Sequence, residues 1–336
     1  MNTGRGYRNN TGLEAVRTRF GEKRAAEVFA QTAQKSKAQA AVMLNDQTLR
    51  FRTFFVLIPH IKANGMYAEL NLRGHTALRL CADMLGDEEL KANTQNTPAA
   101  DHEQVHNVLK WIIRTGVQDD GDDNSYAKIM DNAAALIADR YHDATVLPLL
   151  VDMLFRRARA GFNIHDLAWA LFHGGDPHTL RLAAGYLRSN RAQDYELACL
   201  VLHLEPLADT VRPQDRQKQY DRYLAWLNEN YDYLYPTEES FQLKSDPEAF
   251  AVDVSAKYLA RPTLRRGEAV QVMAAPLYNE LPREFLALSA GEQKMLANYS
   301  NRLYRRDRQS WNKFIALSVT QQVITAKENV QTEGTR

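Results

Sequence analysis

Cysteine is nearly missing from this 336-residue chain, which carries two, Cys81 and Cys199. Each stands inside an apolar helical run, Leu78 to Leu85 and Leu197 to Leu202. Two isolated thiols argue against a disulfide framework and give no cysteine pair at metal spacing. They read as buried, inert side chains of a reducing compartment. Net charge is nearly missing too, since 42 Lys and Arg face 41 Asp and Glu and leave a formal +1. No global field marks the chain for nucleic acid or membrane, so any electrostatic effect has to be local. No apolar stretch has the length of a membrane span or a signal peptide, and the polar, basic start from Met1 to Asn10 reads as disordered. The expected location is the cytoplasm. The phosphate-loop, dinucleotide and serine-elbow patterns G-x-x-x-x-G-K-[ST], G-x-G-x-x-G and G-x-S-x-G are all absent.

Strand signal is the scarcest feature, and helix starts fill the space it leaves. Asp176-Pro177 and Asp246-Pro247 each set a capping carboxylate before a proline whose missing N–H costs nothing at the first helical position. Asn163, Asp194 and Asp307 precede further apolar periods, and Ser289-Ala-Gly-Glu292 has capping-box spacing. Helices are expected within Leu13 to Leu44, from Leu49 to Ile61 with a stop at Asn64-Gly65, and over Leu72 to Leu85 with a stop at Gly86. Beyond the polar loop Asn93 to Pro98, Val105, Val108, Leu109 and Ile112 continue the period until the acidic stretch Asp119 to Asn124. Further helices are expected at Ser125–Arg140, Ala144–Ala160, Ile164–Phe172, Pro177–Arg188, Tyr195–Leu204 and Pro213–Leu234. Past a polar boundary at Tyr235-Pro236 to Asp246 come one helix after Asp246-Pro247, a possible short strand at Ala269 to Ala275, and helices at Ala290–Arg306 and Arg308–Glu328. Val330 to Arg336 reads as frayed.

The expected fold is therefore all-α, a multi-helix stack read as an irregular α-solenoid of HEAT-like helical pairs with a C-terminal helical subdomain. No residue-level repeat accompanies the geometry, so a compact multi-helix domain is the alternative. Three segments follow: a basic one at 1–45, partly disordered and then helical, a helical-repeat-like one at 46–235, and a linker with helical subdomain at 236–336. Charge is uneven among them. Met1 to Arg52 holds ten bases against four acids, Asp83 to Asp131 eleven acids against four bases, and Ser255 to Arg336 thirteen bases against seven acids.

The sharpest motif is His102-Glu103-Gln104-Val105-His106, an H-E-x-x-H match that on a helix would put two imidazoles on one face for Zn²⁺, with Glu103 polarising a bound water. Its surroundings argue against a metallohydrolase. Leu109 and Ile112 stand where the metzincin extension requires Gly and His, Asp101 and Pro98 place the motif in a polar first turn, and the third-ligand candidates Asp119, Asp120, Asp122, Asp123 and His142 lie in no downstream motif. Asp120-x-Asp122-x-Asn124 with Asp131 in the twelfth place echoes a calcium loop, but Ser125 replaces the required Gly and Lys128 sits where a ligand belongs. A helix-capping acidic loop is expected there instead. His165, His173, His178 and His203 are scattered over different helices. Neither a metal nor a cofactor is expected.

Two surface constellations remain. Leu296, Tyr299 and Leu303 form a buried stripe beside Arg302, Arg305 and Arg306, and with Arg308, Lys313 and Trp311 they make a basic patch with interleaved aromatics. Such a patch suits phosphate and base contact, although pairing with acidic protein surface is the expected use in a near-neutral chain. On the helix from Tyr220, the residues Tyr220, Tyr223, Leu224, Leu227, Tyr231 and Leu234 form a core stripe, and Trp226 and Tyr233 fall seven apart on another face, the candidate partner surface. The function expected is non-enzymatic: a helical interaction or assembly scaffold that binds another protein. A nucleic-acid-binding helical repeat using the basic ends and a zinc hydrolase using His102, Glu103 and His106 are the alternatives.

Overall fold

In the computed structural model the chain is all-α, with eighteen α-helices and a single two-stranded sheet among the described residues. The structure describes residues 12–94, 100–121, 123–207, 213–237, 239, 244, 247–262 and 281–333. Contacts divide the chain into a first unit, Met1–Ala170, and a second, Leu171–Arg336. No described helix is long and apolar enough to cross a membrane.

The first unit holds α1 (Leu13–Phe20), α2 (Glu22–Lys35), α3 (Lys37–Leu44), α4 (Phe51–Ala63), α5 (Leu72–Leu85), α6 (Glu88–Thr94), α7 (His102–Gly116), α8 (Asn124–Ala135) and α9 (Leu147–Ala160), and α10 (His165–His173) follows. Its punctuation is the one the sequence carries. Asn71 caps α5 by accepting from the Gly74 N–H, and Gly86 closes it in the left-handed conformation that a side chain would strain. The helix expected from Leu49 begins at Phe51, after a turn in which Asp46 accepts the Thr48 N–H. Phe51, Phe54, Leu57, Ile58 and Ile61 then bury one face of α4. Phe51 stacks on Tyr126 at 5.5 Å and meets Trp111 edge-on at 5.6 Å, tying α4 to α7 and α8. Cys81 and Cys199 are free and buried, and burial pushes the Cys81 thiol up to about 12.

At the end of α7 a Cβ on Gly116 would sit 2.6 Å from the Tyr126 hydroxyl and 3.2 Å from Phe51. Tyr126 donates to the Gly116 carbonyl from that position, so it is held in place. Gly116→Ala is expected to destabilise the first unit by about 1–3 kcal/mol through overpacking, read as a lower midpoint in thermal unfolding.

The second unit contains α11 (His178–Ala184), α12 (Ala192–Val201), α13 (Pro213–Asn230), α14 (Val254–Tyr258), α15 (Arg283–Leu286), α16 (Ala290–Arg306), α17 (Arg308–Ile315) and α18 (Val319–Glu333), with strands β1 (Leu234–Pro236) and β2 (Phe250–Val252) between α13 and α14. The strands are antiparallel, with Leu234 opposite Val252 and Pro236 opposite Phe250. Several expectations change here. Asp194 lies inside α12 and accepts from Ser189, so the helix begins a turn before the expected Tyr195. The helix expected to run to Leu234 ends at Asn230, turns once in a 3₁₀ conformation and enters β1. After Pro247 comes strand β2, and the helix that follows is capped by Asp253 through the Ala256 N–H. Asp246 and the possible strand at Ala269 to Ala275 lie outside the described residues.

The helix expected over Arg308–Glu328 is broken at 316–318. Ser318 forms a capping box with Gln321, and Gln322 donates to the Ile315 and Leu317 carbonyls, so α18 supplies its own start and closes α17. The C-terminal core gathers Tyr258, Phe285, Leu296, Phe314, Val319 and Ala326, with Tyr258 stacked on Phe285 at 4.2 Å.

Candidate functional site

The H-E-x-x-H segment opens α7, where Asp101 and Gln104 form a complete capping box around it. His106 does reach an acid, but as part of a local fastening: its Nε2 lies 2.9 Å from Asp143 Oδ2, which Lys110 Nζ also approaches to 2.8 Å. Tyr141 stacks on His106 with centroids 4.5 Å apart, touches His102, and donates to the His102 carbonyl. Burial opposes the charge on Asp143, yet hydrogen bonds from Lys110 and Thr145 hold its carboxyl well below the usual range. Among the described residues no three His, Cys, Asp or Glu side chains converge as a metal site would require.

The acidic stretch before α8 is consumed by arginines of its own unit. Asp119 pairs with Arg17 at 2.9 Å, Asp123 caps α8 and meets Arg52 at 3.2 Å, and Asp120 clasps Arg157 with two bonds of 2.6 and 2.9 Å. Arg157 also bonds Asp131 at 2.6 Å. Two of the residues that echo a calcium loop, Asp120 and Asp131, therefore bind the Arg157 guanidinium; Asp122 lies outside the described residues.

In the second unit the basic patch is tethered. Arg305 reaches Asp232 at 3.3 Å and approaches the Asn228 and Glu229 carbonyls at the end of α13, where a cation complements the helix dipole. Arg308 lies over the Tyr304 ring at 3.8 Å. Trp311 donates to Ser300 and meets Tyr304 edge-on, so its ring is fixed within the fold. Arg302, Arg305, Arg306 and Arg308 are exposed.

The expected pairing of Trp226 with Tyr233 fails because α13 stops between them. Tyr233 is 2% exposed and donates to Asn301, so it presents no surface. Trp226 is 36% exposed and leans on Tyr223. It lines a groove of about 360 Å³ whose walls come from Leu180, Val201 to Leu204, one face of α13 and the residues Glu248 to Phe250. Of the polar side chains that line it, Gln219 is engaged within the fold: it accepts from the Tyr195 hydroxyl and donates to the Glu205 carbonyl. Most of the remaining lining is apolar, and His203, Arg222 and Glu248 also belong to it. His203 on one wall holds a left-handed backbone with φ of 53°, a conformation that costs free energy and persists where packing imposes it. Sequence reading found Trp226 but not the groove, whose walls are brought together from four separate segments. No protein-family model, curated protein or solved structure matches this chain.

Proposed function

We propose that this chain is a non-enzymatic helical interaction or assembly protein, and that the Trp226 groove of the second unit receives another protein. The observation that carries this reading is a largely apolar groove bordered by an exposed tryptophan. Such a surface gains free energy by excluding water and offers no set of reactive groups. The arrangement of neighbours supports an irregular HEAT-like stack for the helical parts, since α1 packs on α2, α2 on α3, α5 on α6 and α7 on α8. The exposed arginines Arg302, Arg305, Arg306 and Arg308 extend the surface toward an acidic partner. Nucleic-acid binding is disfavoured by the fixed ring of Trp311 and the engagement of Arg305 with Asp232.

The test compares partner retention by the native chain, by Trp226→Asp, and by a fourfold Gln replacement of those arginines. Loss of a stoichiometric partner with Trp226→Asp, at unchanged helix content and melting temperature, is the expected result. An undiminished complex would remove the groove from the interface. Tight binding to DNA or RNA at physiological salt, lost on the arginine replacement and falling with salt by a slope of about 0.7–0.9 per phosphate contact, would favour the nucleic-acid reading instead.

A further inference from the structure

The expectation of no residue-level repeat fails near the C-terminal end. Phe285-Leu-Ala-Leu-Ser-Ala-Gly-Glu-Gln293 recurs 29 positions on as Phe314-Ile-Ala-Leu-Ser-Val-Thr-Gln-Gln322, and Ala297 recurs as Ala326. The bonds recur with the residues. Ser289 and Ser318 each accept the N–H three residues on, from Glu292 and from Gln321, and so start α16 and α18. Gln293 donates back to the Leu286 and Leu288 carbonyls, and Gln322 to the matching Ile315 and Leu317 carbonyls. Phe285 and Phe314, like Ala297 and Ala326, are buried in one core. The helix pairs α15–α16 and α17–α18 are therefore two versions of one design.

The two pairs differ in what covers them. In the first, Glu292, Met295 and Tyr299 lie along one face of α16, and the second pair closes that face: Lys327 binds Glu292 at 3.1 Å, Phe314 meets the Tyr299 ring edge-on at 5.0 Å, and Met295 packs against the shared core. Their counterparts in α18 are Gln321, Ile324 and Glu328, and all three are exposed. Ile324 is 53% exposed, where the matching Met295 is half-buried. The design thus carries a stacking face that is used once and left open once.

We infer that a second copy of this chain covers the open face, its α18 packing antiparallel on the first across a two-fold axis at Ile324. The cover that α16 accepts is a helix pair of this chain's own sequence, which is what a second copy brings. The exposed face is also self-complementary. In the antiparallel arrangement, positions equally far before and after Ile324 oppose one another, so Gln321 meets Lys327 of the second copy and Thr320 meets Glu328. No like charges are brought together. A parallel pair would instead set Lys327 on Lys327 and Glu328 on Glu328, which like-charge repulsion opposes. This face shares no residue with the Trp226 groove, so the inference goes beyond the proposed role and does not rest on it.

Sedimentation of the full chain across a concentration series is expected to show a reversible dimer. Ile324→Asp places a charge at the axis from both copies and should weaken the dimer about tenfold or more. The melting temperature of the separated chain should not change, because the position is exposed. Gln321→Glu keeps a capping-box residue and offers two Glu–Lys pairs across the axis, so it should tighten the dimer about threefold at low salt and lose that gain at high salt. Ile324→Cys should form an intermolecular disulfide on mild oxidation, since the axis brings the two positions together while Cys81 and Cys199 are buried. Lys313→Cys, on α17, should not. A chain that stays monomeric, a dimer indifferent to Ile324→Asp, or a dimer that Ile324→Cys does not cross-link would each overturn the two-fold pairing and leave the groove's role to its own test.

Discussion

Replacing Arg157 by Met is expected to cost the first unit about 3–5 kcal/mol, because it removes the cation from a buried cluster and leaves its acids behind. The guanidinium is 5% exposed and Asp120 is 2% exposed, so neither has water to fall back on. Burial raises the Asp131 pKa from 3.8 to about 6 against the pull of Arg157, with Asp120 and Asp166 adding to the rise. A folded-state pKa above the unfolded one means that the folded chain takes up the proton more readily. The stability contributed by this group is complete below pH 4 and is lost as pH rises through 6. Native protein should therefore lose stability between pH 4.5 and 7 through this group, and Asp131→Asn should flatten that slope. The Arg157→Met deficit should be largest above pH 7 and shrink in acid, where protonation replaces the missing cation. Urea midpoints across pH read both effects, and a pH-independent deficit below 1 kcal/mol would refute the account.

Lys257→Met should destabilise the second unit by about 2–4 kcal/mol, since each buried polar oxygen left without its donor costs about 1–3 kcal/mol. The ammonium is 1% exposed and donates to Asn298 at 2.6 Å, to Asn230 at 2.7 Å and to Glu229 at 3.3 Å. It thus fastens the end of α13, where Arg305 also docks, to α14 and α16. Burial lowers the lysine's pKa, with Glu229 opposing. Methionine keeps the length of the stem, so the loss isolates the three donated bonds. Chemical denaturation gives the magnitude, and an unchanged midpoint would show that the amides find other partners. A loosened end of α13 should also weaken any partner bound beside Trp226, which lies one turn upstream.

Local chemistry made much of this fold legible. Asp176, Ser289 and Asp307 each bind a main-chain N–H within three residues, so the signal and the structure it specifies occupy the same few positions. The 3.6-residue spacing in α4, α5 and α16 likewise marked the faces that are buried. Trp226 was found as an exposed aromatic for the same reason, as it lies within one continuous helix.

Where a side chain's fate depends on distant segments, the sequence alone could not decide it. Tyr233 looked equivalent to Trp226 until the chain left the helix at Asn230, which broke the phase that put them on one face. Pairing of Leu234–Pro236 with Phe250–Val252 spans fourteen residues, and three-residue strands carry no readable period. Asp120 and Asp131 read as a calcium echo, and Arg157, twenty-six residues beyond Asp131, made them the shell of a buried cation. The sequence by itself determined the helical class, the caps and the buried stripes, because these are set by bonds along a single helix. The groove and the charge clusters were decided by tertiary structure, because they exist only where folding sets separate segments side by side.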